Sequence, residues 1–232
     1  MLTRQSAFWA GVRAELPLLL GVFPFGMIYG ILALEAGLTP AAAQAMSSIV
    51  FAGSSQFVAA QLFHAAAPAA VIVFTIAVVN LRHALYSATL APYTRRLSPL
   101  WKALMAYLLT DEAFVVGIIH YRSLDSSAPE AQAQGQWYFL GAGLALWSTW
   151  QLSTAAGVFL GAAVPAQWPL DFTLPLTFIA LVAPGLKDRP AVAAAISAGL
   201  AALLAYSLPY RLGLILAALV GITVGMLVEG SR

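Results

Sequence analysis

The 232-residue sequence has no cysteine and few charged residues. The absence of cysteine excludes disulfide frameworks, thiolate zinc sites, iron–sulfur clusters and cysteine nucleophiles. Charged residues make up 9% of the chain, against about 25% in an ordinary soluble domain, and so few charges cannot cover the surface of a soluble monomer. Residues of the apolar set AVILMFWYC reach 61%, and the 12 Phe, 8 Tyr and 6 Trp also exclude a disordered chain. The composition therefore predicts a membrane protein with several spans.

Apolar stretches occupy most of the chain. A membrane-spanning helix needs about 20 mainly apolar residues, and eight stretches, numbered here as segments one to eight, approach that length. They are residues 16–34, 44–63, 69–90, 101–121, 137–162, 172–185, 190–208 and 211–228. The runs are continuous, whereas the strands of a lipid-facing barrel alternate in pieces of about ten residues. We therefore predict an all-α integral membrane protein with a single transmembrane domain over residues 1–232.

Basic residues beside the spans predict the orientation, because they favour the cytoplasmic side. Arg4 and Arg13 place the N-terminus in the cytoplasm, and the next basic cluster lies at residues 95–102. This cluster would lie outside if segments one to three all crossed the membrane. Segment two is the weakest span because its centre, residues 52–56, reads AGSSQ. We expect segment two to be re-entrant or broken.

The same conflict recurs in the second half. Segment four then runs outward and segment five inward, and Lys187 and Arg189 would lie outside if segment six crossed. Segment six is short and contains Pro175, so we expect it to be re-entrant too. This gives about six full spans, two interrupted helices and two cytoplasmic termini. The odd number of full spans in each half would invert two pseudo-repeats, about residues 14–122 and 136–228, as in many secondary transporters.

Three charged residues stand out because they lie well inside apolar segments, away from the segment ends: Arg82, Asp111 and Glu112. Each costs about 2.5–3.5 kcal/mol on insertion scales, so such residues usually face a bundle interior with a partner. In antiparallel neighbouring helices Arg82 and Asp111 come to a similar depth, so we expect Arg82 to pair with Asp111 or Glu112. The pair either locks two helices together or takes part in substrate or proton coupling.

Small and polar residues interrupt three segments. The run Gly53-Ser54-Ser55-Gln56 exceeds what close helix packing requires and favours a substrate site at a broken helix. The run Pro24-Phe25-Gly26 either interrupts segment one or produces a simple kink. In segment three, Asn80 and His83 are three residues apart and share a helix face, from which Arg82 points away.

Enzyme signatures are nearly absent. The three histidines lack metalloprotease spacing and there is no phosphate-binding loop, so we expect neither a metal nor another cofactor. An intramembrane hydrolase that uses Ser54 or Ser55 with His83 as base is one alternative. A passive small-solute channel is another. We expect a transporter and not an enzyme.

Several motifs resemble those of the AzlC family, in matching order over about residues 14–205. They are Leu20 to Gly26 (LGVFPFG), Ser48 to Phe57 (SIVFAGSSQF), Asn80 to His83 (NLRH), Leu90 to Pro92 (LAP), Thr110 to Glu112 (TDE) and the stretch from Asp171 to Pro190. The resemblance implies the large subunit of a bacterial branched-chain amino-acid exporter in the inner membrane. It also implies an ion gradient as the driving force and a small hydrophobic AzlD-type membrane subunit as partner.

For such a transporter we expect a zwitterionic amino acid at the interface of the two halves. Its carboxylate would meet the positive N-terminal end of a half-helix, at Pro24 to Gly26 or at Gly53 to Ser55. Gln56 and Asn80 are expected to hydrogen-bond the substrate. The aliphatic pocket is assigned to Phe25, Tyr29, Phe57 and Phe178, and coupling or gating to Arg82, His83, Asp111 and Glu112.

Overall fold

The computed structural model describes residues 3–124, 129–161, 186, 188–209 and 212–230. Helices are the regular secondary structure of these residues, and they are α1 (Arg4–Glu35), α2 (Pro40–Val50), α3 (Gly53–His64), α4 (Ala69–Val79), α5 (Leu81–Thr94), α6 (Pro99–Tyr107), α7 (Asp111–Ser123), α8 (Pro129–Gly161), α9 (Arg189–Leu204) and α10 (Leu212–Gly230). The predicted all-α class is confirmed. Segment six and Phe178 lie outside the described residues.

Segments two, three and four are each divided into two helices. The divisions lie at Phe51-Ala52 between α2 and α3, at Asn80 between α4 and α5, and at residues 108–110 between α6 and α7. The break predicted in segment two is confirmed, whereas those in segments three and four were not predicted. Each of these turns is only one to three residues long and lies within an otherwise apolar stretch, so hydropathy averaged over the length of a span does not register it. Thr110 is nevertheless a preferred residue type for the start of a helix. In the structure its hydroxyl accepts the N–H of Ala113 at 3.3 Å.

Residue Phe51 adopts an unusual conformation at the first break. It ends α2 with φ 40° and ψ 48°, in the left-handed region that a bulky residue rarely enters. The next helix begins immediately, and the Gln56 Oε1 accepts the N–H of Ala52 at 3.2 Å. Both Phe51 and Ala52 are buried. Protein therefore covers this irregular backbone, as a break at membrane depth requires.

Helices α1 and α8 form the most extensive helix pair of the described structure. Glycines allow the two backbones to touch: Gly11 lies against the carbonyl of Tyr138, and Gly30 against the carbonyl of Thr154. The contacts advance in the same direction along both chains, and Gly157 lies against the carbonyl of Met27. The two helices therefore run parallel.

This parallel packing contradicts the opposite courses predicted for segments one and five, and with them the inverted relation between the two halves. If α1 and α8 both cross the membrane, an odd number of crossings separates them, whereas the sequence analysis counted two. That count took segment four as a continuous span, which its break at residues 108–110 does not support. The pseudo-repeat boundaries themselves stay a prediction.

Within the described residues, three stretches are long and apolar enough to cross a membrane: Arg4–Glu35, Ala69–Thr94 and Leu212–Gly230. The described residues fall into two compact units, one within residues 1–60 and 79–164 and the other within residues 61–78 and 165–232. In the second unit α9 and α10 pack together. The residues around the helix breaks lie in the first unit.

Candidate functional site

Polar side chains from three helix starts meet in the first unit. We call this group the helix-break cluster, and it consists of Ser54 and Ser55 of α3, Asn80 before α5, Arg82 of α5 and Asp111 at the start of α7. Each lies within two residues of a helix start. The cluster therefore brings together helix N-termini, where backbone N–H groups and the helix dipole favour negative charge.

An ion pair lies at the centre of the cluster. Arg82 Nη1 donates to Asp111 Oδ2 at 2.5 Å, and the Tyr86 hydroxyl donates to Asp111 Oδ1 at 2.7 Å. The Arg82 and Asp111 side chains are 28% and 40% exposed, so the pair borders open space and is not sealed in the core. The predicted pairing of Arg82 is confirmed, with Asp111 and not Glu112 as its partner.

Both serines of the cluster contact the chain around Asn80. Arg82 Nη2 donates to Ser54 Oγ at 3.1 Å, and Ser55 Oγ donates to Asn80 Oδ1 at 2.5 Å. The sequence analysis expected Arg82 to point away from Asn80, and in the structure the two side chains contact different, neighbouring serines. That expectation assumed an unbroken helix, whereas Asn80 lies in the turn between α4 and α5.

Gln56 is fully buried and holds the start of α3. Its Oε1 accepts the N–H of Ala52 and the indole N–H of Trp150, each at 3.2 Å. Within the described residues its Nε2 has no hydrogen-bond partner. The structure thus assigns Gln56 a capping contact, while its predicted contact with substrate stays a prediction.

An aromatic group adjoins this helix start. Phe25 and Phe57 have ring centroids 4.6 Å apart, and Tyr29 and Trp150 stack at 6.1 Å. A Cβ added to Gly53 would lie 3.0 Å from Phe25 and 3.1 Å from Trp150, so this group directly supports the α3 N-terminus. Tyr29 and Phe57 are fully buried, and Phe25 is half-buried. Of the three predicted pocket residues that are described, Phe25 is therefore the one with an accessible face.

The half-helix predicted at Pro24 to Gly26 is wrong, because α1 is continuous through Pro17 and Pro24. Pro24 is exposed, whereas Gly26 is buried. A Cβ on Gly26 would overlap the hydroxyl of Ser153 in α8. Close packing on α8 accounts for this glycine, and the positive helix end at this site belongs to α3.

His83 does not form the pair that a hydrolase requires. Its ring lies edge-on to Tyr86 with centroids 6.0 Å apart, and its Nε2 is without a hydrogen-bond partner among the described residues. The hydroxyls of Ser54 and Ser55 are engaged by Arg82 and Asn80 instead. This arrangement does not favour the hydrolase alternative.

Sequence reasoning missed three residues around the site: Tyr86, Trp150 and Glu15. Tyr86 follows Arg82 by four residues, which is a same-face helical spacing and a usable signal. Glu15 is an ionisable residue within the first long helix. It was missed because segment one was taken to begin at residue 16, so Glu15 counted as a residue outside the span. Nothing in the sequence marks Trp150, because its partner Gln56 is 94 residues away.

Comparisons with known proteins agree with this membrane architecture. The chain matches the family model described as AzlC protein over residues 17–164. It is 30% identical over 197 residues to an "Uncharacterized membrane protein" of Archaeoglobus fulgidus, covering 83% of this chain and 82% of the relative. It is 27% identical over 187 residues to "Inner membrane protein YgaZ" of Escherichia coli, with coverage of 77% and 73%.

A further relative carries a functional name. The chain is 25% identical over 185 residues to "Branched-chain amino acid transport protein AzlC" of Bacillus subtilis, covering 78% of this chain and 70% of the relative. No solved structure matches the chain. The family match extends over more than half of the sequence and includes every residue of the helix-break cluster. The chain therefore belongs to the AzlC family of membrane transport proteins.

Proposed function

We propose that this protein exports branched-chain or similar hydrophobic amino acids across a bacterial inner membrane, with both termini in the cytoplasm. The observation that carries the proposal is the meeting of three helix starts around the Arg82–Asp111 ion pair. Transporters typically bind substrates where discontinuous helices meet within the membrane. The printed name of the Bacillus subtilis relative supports the substrate class.

The substrate carboxylate binds at the start of α3. Among the described residues, no hydrogen-bond acceptor contacts the backbone N–H groups of Gly53, Ser54 and Ser55. These three donors lie at the positive end of the helix dipole, which favours an anion. Arg82 already contacts Ser54 and adds a full positive charge beside them.

The rest of the amino acid is bound by neighbouring groups. Asn80 and Asp111 present acceptor oxygens within the cluster for the substrate ammonium. The accessible face of Phe25 contacts an aliphatic side chain, and the buried rings of Tyr29 and Phe57 support it. Phe178 lies outside the described residues, and its role stays a prediction from the sequence.

The ion pair acts as the gate. A substrate carboxylate competes with Asp111 for Arg82, so binding alters the contact between α5 and α7. Because the pair is partly exposed, substrate reaches it without opening a packed core. An ion gradient supplies the driving force, His83 and Glu112 assist the coupling, and the protein carries out no covalent chemistry.

A small hydrophobic AzlD-type membrane subunit completes the exporter. Co-expression of this chain with a small multi-span protein encoded beside it tests the partnership. We expect the two to copurify in detergent and export to require both. Full export by this chain without the second protein would contradict the partnership.

Efflux of labelled valine, leucine, isoleucine and methionine from preloaded cells that co-express the small partner subunit tests the function. We expect Arg82→Gln to reduce efflux by at least about tenfold, equivalent to about 1.4 kcal/mol. Arg122→Gln is the matched control, because Arg122 is an exposed residue in the last turn of α7. Non-saturable efflux without counterflow would instead identify a passive channel.

The double variant Arg82→Gln, Asp111→Asn separates a functional pair from a structural one. Each single change leaves a partly buried charge unpaired and lowers stability by about 1–3 kcal/mol. The neutral pair regains that stability, but we expect it not to export. Normal export by the double variant would show that the ion pair only holds the helices together.

A further inference from the structure

Glu15 is a buried carboxyl group that the proposed substrate site does not use. It lies in α1, about 16 Å along the helix axis from Arg4. The side chain is fully buried, and within the described part of the chain neither carboxyl oxygen has a hydrogen-bond partner. An ionisable residue in this position within a spanning helix usually serves a function.

The surroundings of Glu15 contain no described cation that compensates its charge. Two titratable groups lie within electrostatic range of Glu15: the carboxyl of Glu112 in the first turn of α7 and the phenol of Tyr138 in α8. The ring of His120 stacks on Tyr138 with centroids 3.7 Å apart. Helix α2, which also packs against α1, has no titratable residue, and Arg13 of α1 is exposed.

This environment favours a neutral carboxylic acid over a carboxylate. An ionised carboxylate without a hydrogen bond is very costly away from water, and a second carboxylate nearby adds repulsion. A metal cation fits poorly, since a hard cation requires about six oxygen ligands and the described residues contain no cluster of three acidic or histidine side chains that could hold one. A proton removes the charge of Glu15 without further ligands.

We propose that Glu15 is the proton-binding residue that couples amino-acid export to a proton gradient, with Glu112 as the neighbouring acid through which the proton reaches the substrate site. The proposal rests on the transport function proposed above. Glu112 directly follows Asp111 in the chain, so it connects the buried acid to the Arg82–Asp111 gate. In each cycle one proton passes from water on one side to Glu15 and returns to water on the other, and no covalent bond to the substrate changes.

Valine transport in inside-out membrane vesicles from cells that co-express this chain with the AzlD-type subunit tests the coupling. We expect Glu15→Gln, which mimics the neutral acid, to retain valine counterflow but to lose accumulation driven by a pH gradient. For one proton per substrate, a gradient of about one pH unit supports about tenfold accumulation in the unmodified protein. Glu35→Gln is the matched control, since Glu35 is an exposed residue at the end of the same helix, and it should accumulate valine normally.

The outcomes separate this proposal from the transport function. Glu15→Gln vesicles that still accumulate valine with the pH gradient, or wild-type accumulation driven by sodium instead, would overturn the proton role. Absence of valine transport in wild-type vesicles would overturn the function itself. Infrared spectroscopy of the purified full chain then decides the site independently, because the wild type must show a protonated carboxyl band that Glu15→Gln lacks, apart from any band of Glu112. Glu15→Asp, which keeps the acid, should recover part of the coupling if the glutamine variant folds poorly.

Discussion

Arg82 is the residue on which the contacts of the helix-break cluster converge. Its guanidinium donates to Asp111 and to Ser54, and Asp111 also accepts from Tyr86. A guanidinium suits this position because it stays charged and presents several donors in a fixed, planar arrangement. Through these contacts Arg82 connects the starts of α3 and α7. A lysine would supply the charge but not two N–H groups held in fixed directions toward Asp111 and Ser54.

Gln56 offers a test of a single buried side chain. Gln56→Ala removes the oxygen that accepts both the Ala52 N–H and the Trp150 indole. We expect a loss of stability of about 1–3 kcal/mol, because buried donors are left unsatisfied, and we expect export to fall as the start of α3 loosens. Thermal unfolding in detergent and valine efflux measure the two effects.

A change elsewhere in α3 provides the comparison for Gln56. Gln61→Ala makes the same substitution in that helix beyond the break, and it should leave both stability and export nearly unchanged. Unchanged export by Gln56→Ala would remove Gln56 from the site. A loss of stability without a loss of export would leave it with the capping contact only.

At the scale of helices, two kinds of contact shape the first unit. Short helices begin inside the protein, where side chains cap them: Thr110 caps α7, and Gln56 contacts the backbone just before α3. Long helices pack through glycines, as α1 does on α8. The capping side chains fix where the short helices begin, while the glycine contacts hold the framework around them.

Two glycines of α1 test the framework. A Cβ on Gly30 would overlap backbone atoms of Thr154 and Val158, whereas a Cβ on Gly21 meets no atom within 4 Å. We expect Gly30→Ala to lower stability by about 1–3 kcal/mol through overpacking. Gly21→Ala should be neutral or stabilise by up to about 1 kcal/mol, because alanine favours the helix. Thermal unfolding of both variants in the same detergent checks this, and equal midpoints would contradict the close packing.

At the scale of the whole molecule, the parallel course of α1 and α8 constrains the topology. An odd number of crossings must separate them if both cross, and the stretch Ala69–Thr94 provides one. With that single crossing, segments two and four would both be re-entrant, and the basic residues 95–102 would lie in the cytoplasm. With three crossings, these basic residues would lie outside, against the usual charge distribution.

Single cysteines distinguish the two topologies, since the natural chain has none. We expect a membrane-impermeant maleimide to label Gln5→Cys, Gln134→Cys and Leu97→Cys in inside-out vesicles and not in intact cells. Gln5 and Gln134 lie toward the starts of α1 and α8, so labelling from opposite sides would contradict their parallel packing. Labelling of Leu97→Cys in intact cells would favour three crossings.

Much of the chemistry of the site was accessible from the sequence, because it rests on residue type. The small polar run at residues 53–56 indicated a broken helix, and the cost of a charge in lipid required a partner for Arg82. The choice of Asp111 over Glu112 was not accessible, since neighbouring residues on a helix point about 100° apart. Helix orientation decides which of the two carboxylates meets the guanidinium.

Composition and apolar runs by themselves determined an all-α membrane protein with interrupted helices, because the bilayer demands long apolar stretches and partners for buried charge. Only the tertiary structure decided that three breaks meet around one ion pair, that Pro24 lies in a continuous helix, and that α1 runs parallel to α8. The reason is that these features depend on contacts between residues far apart in the chain. Gly30 meets Thr154, and Gln56 meets Trp150, and no local pattern records either contact.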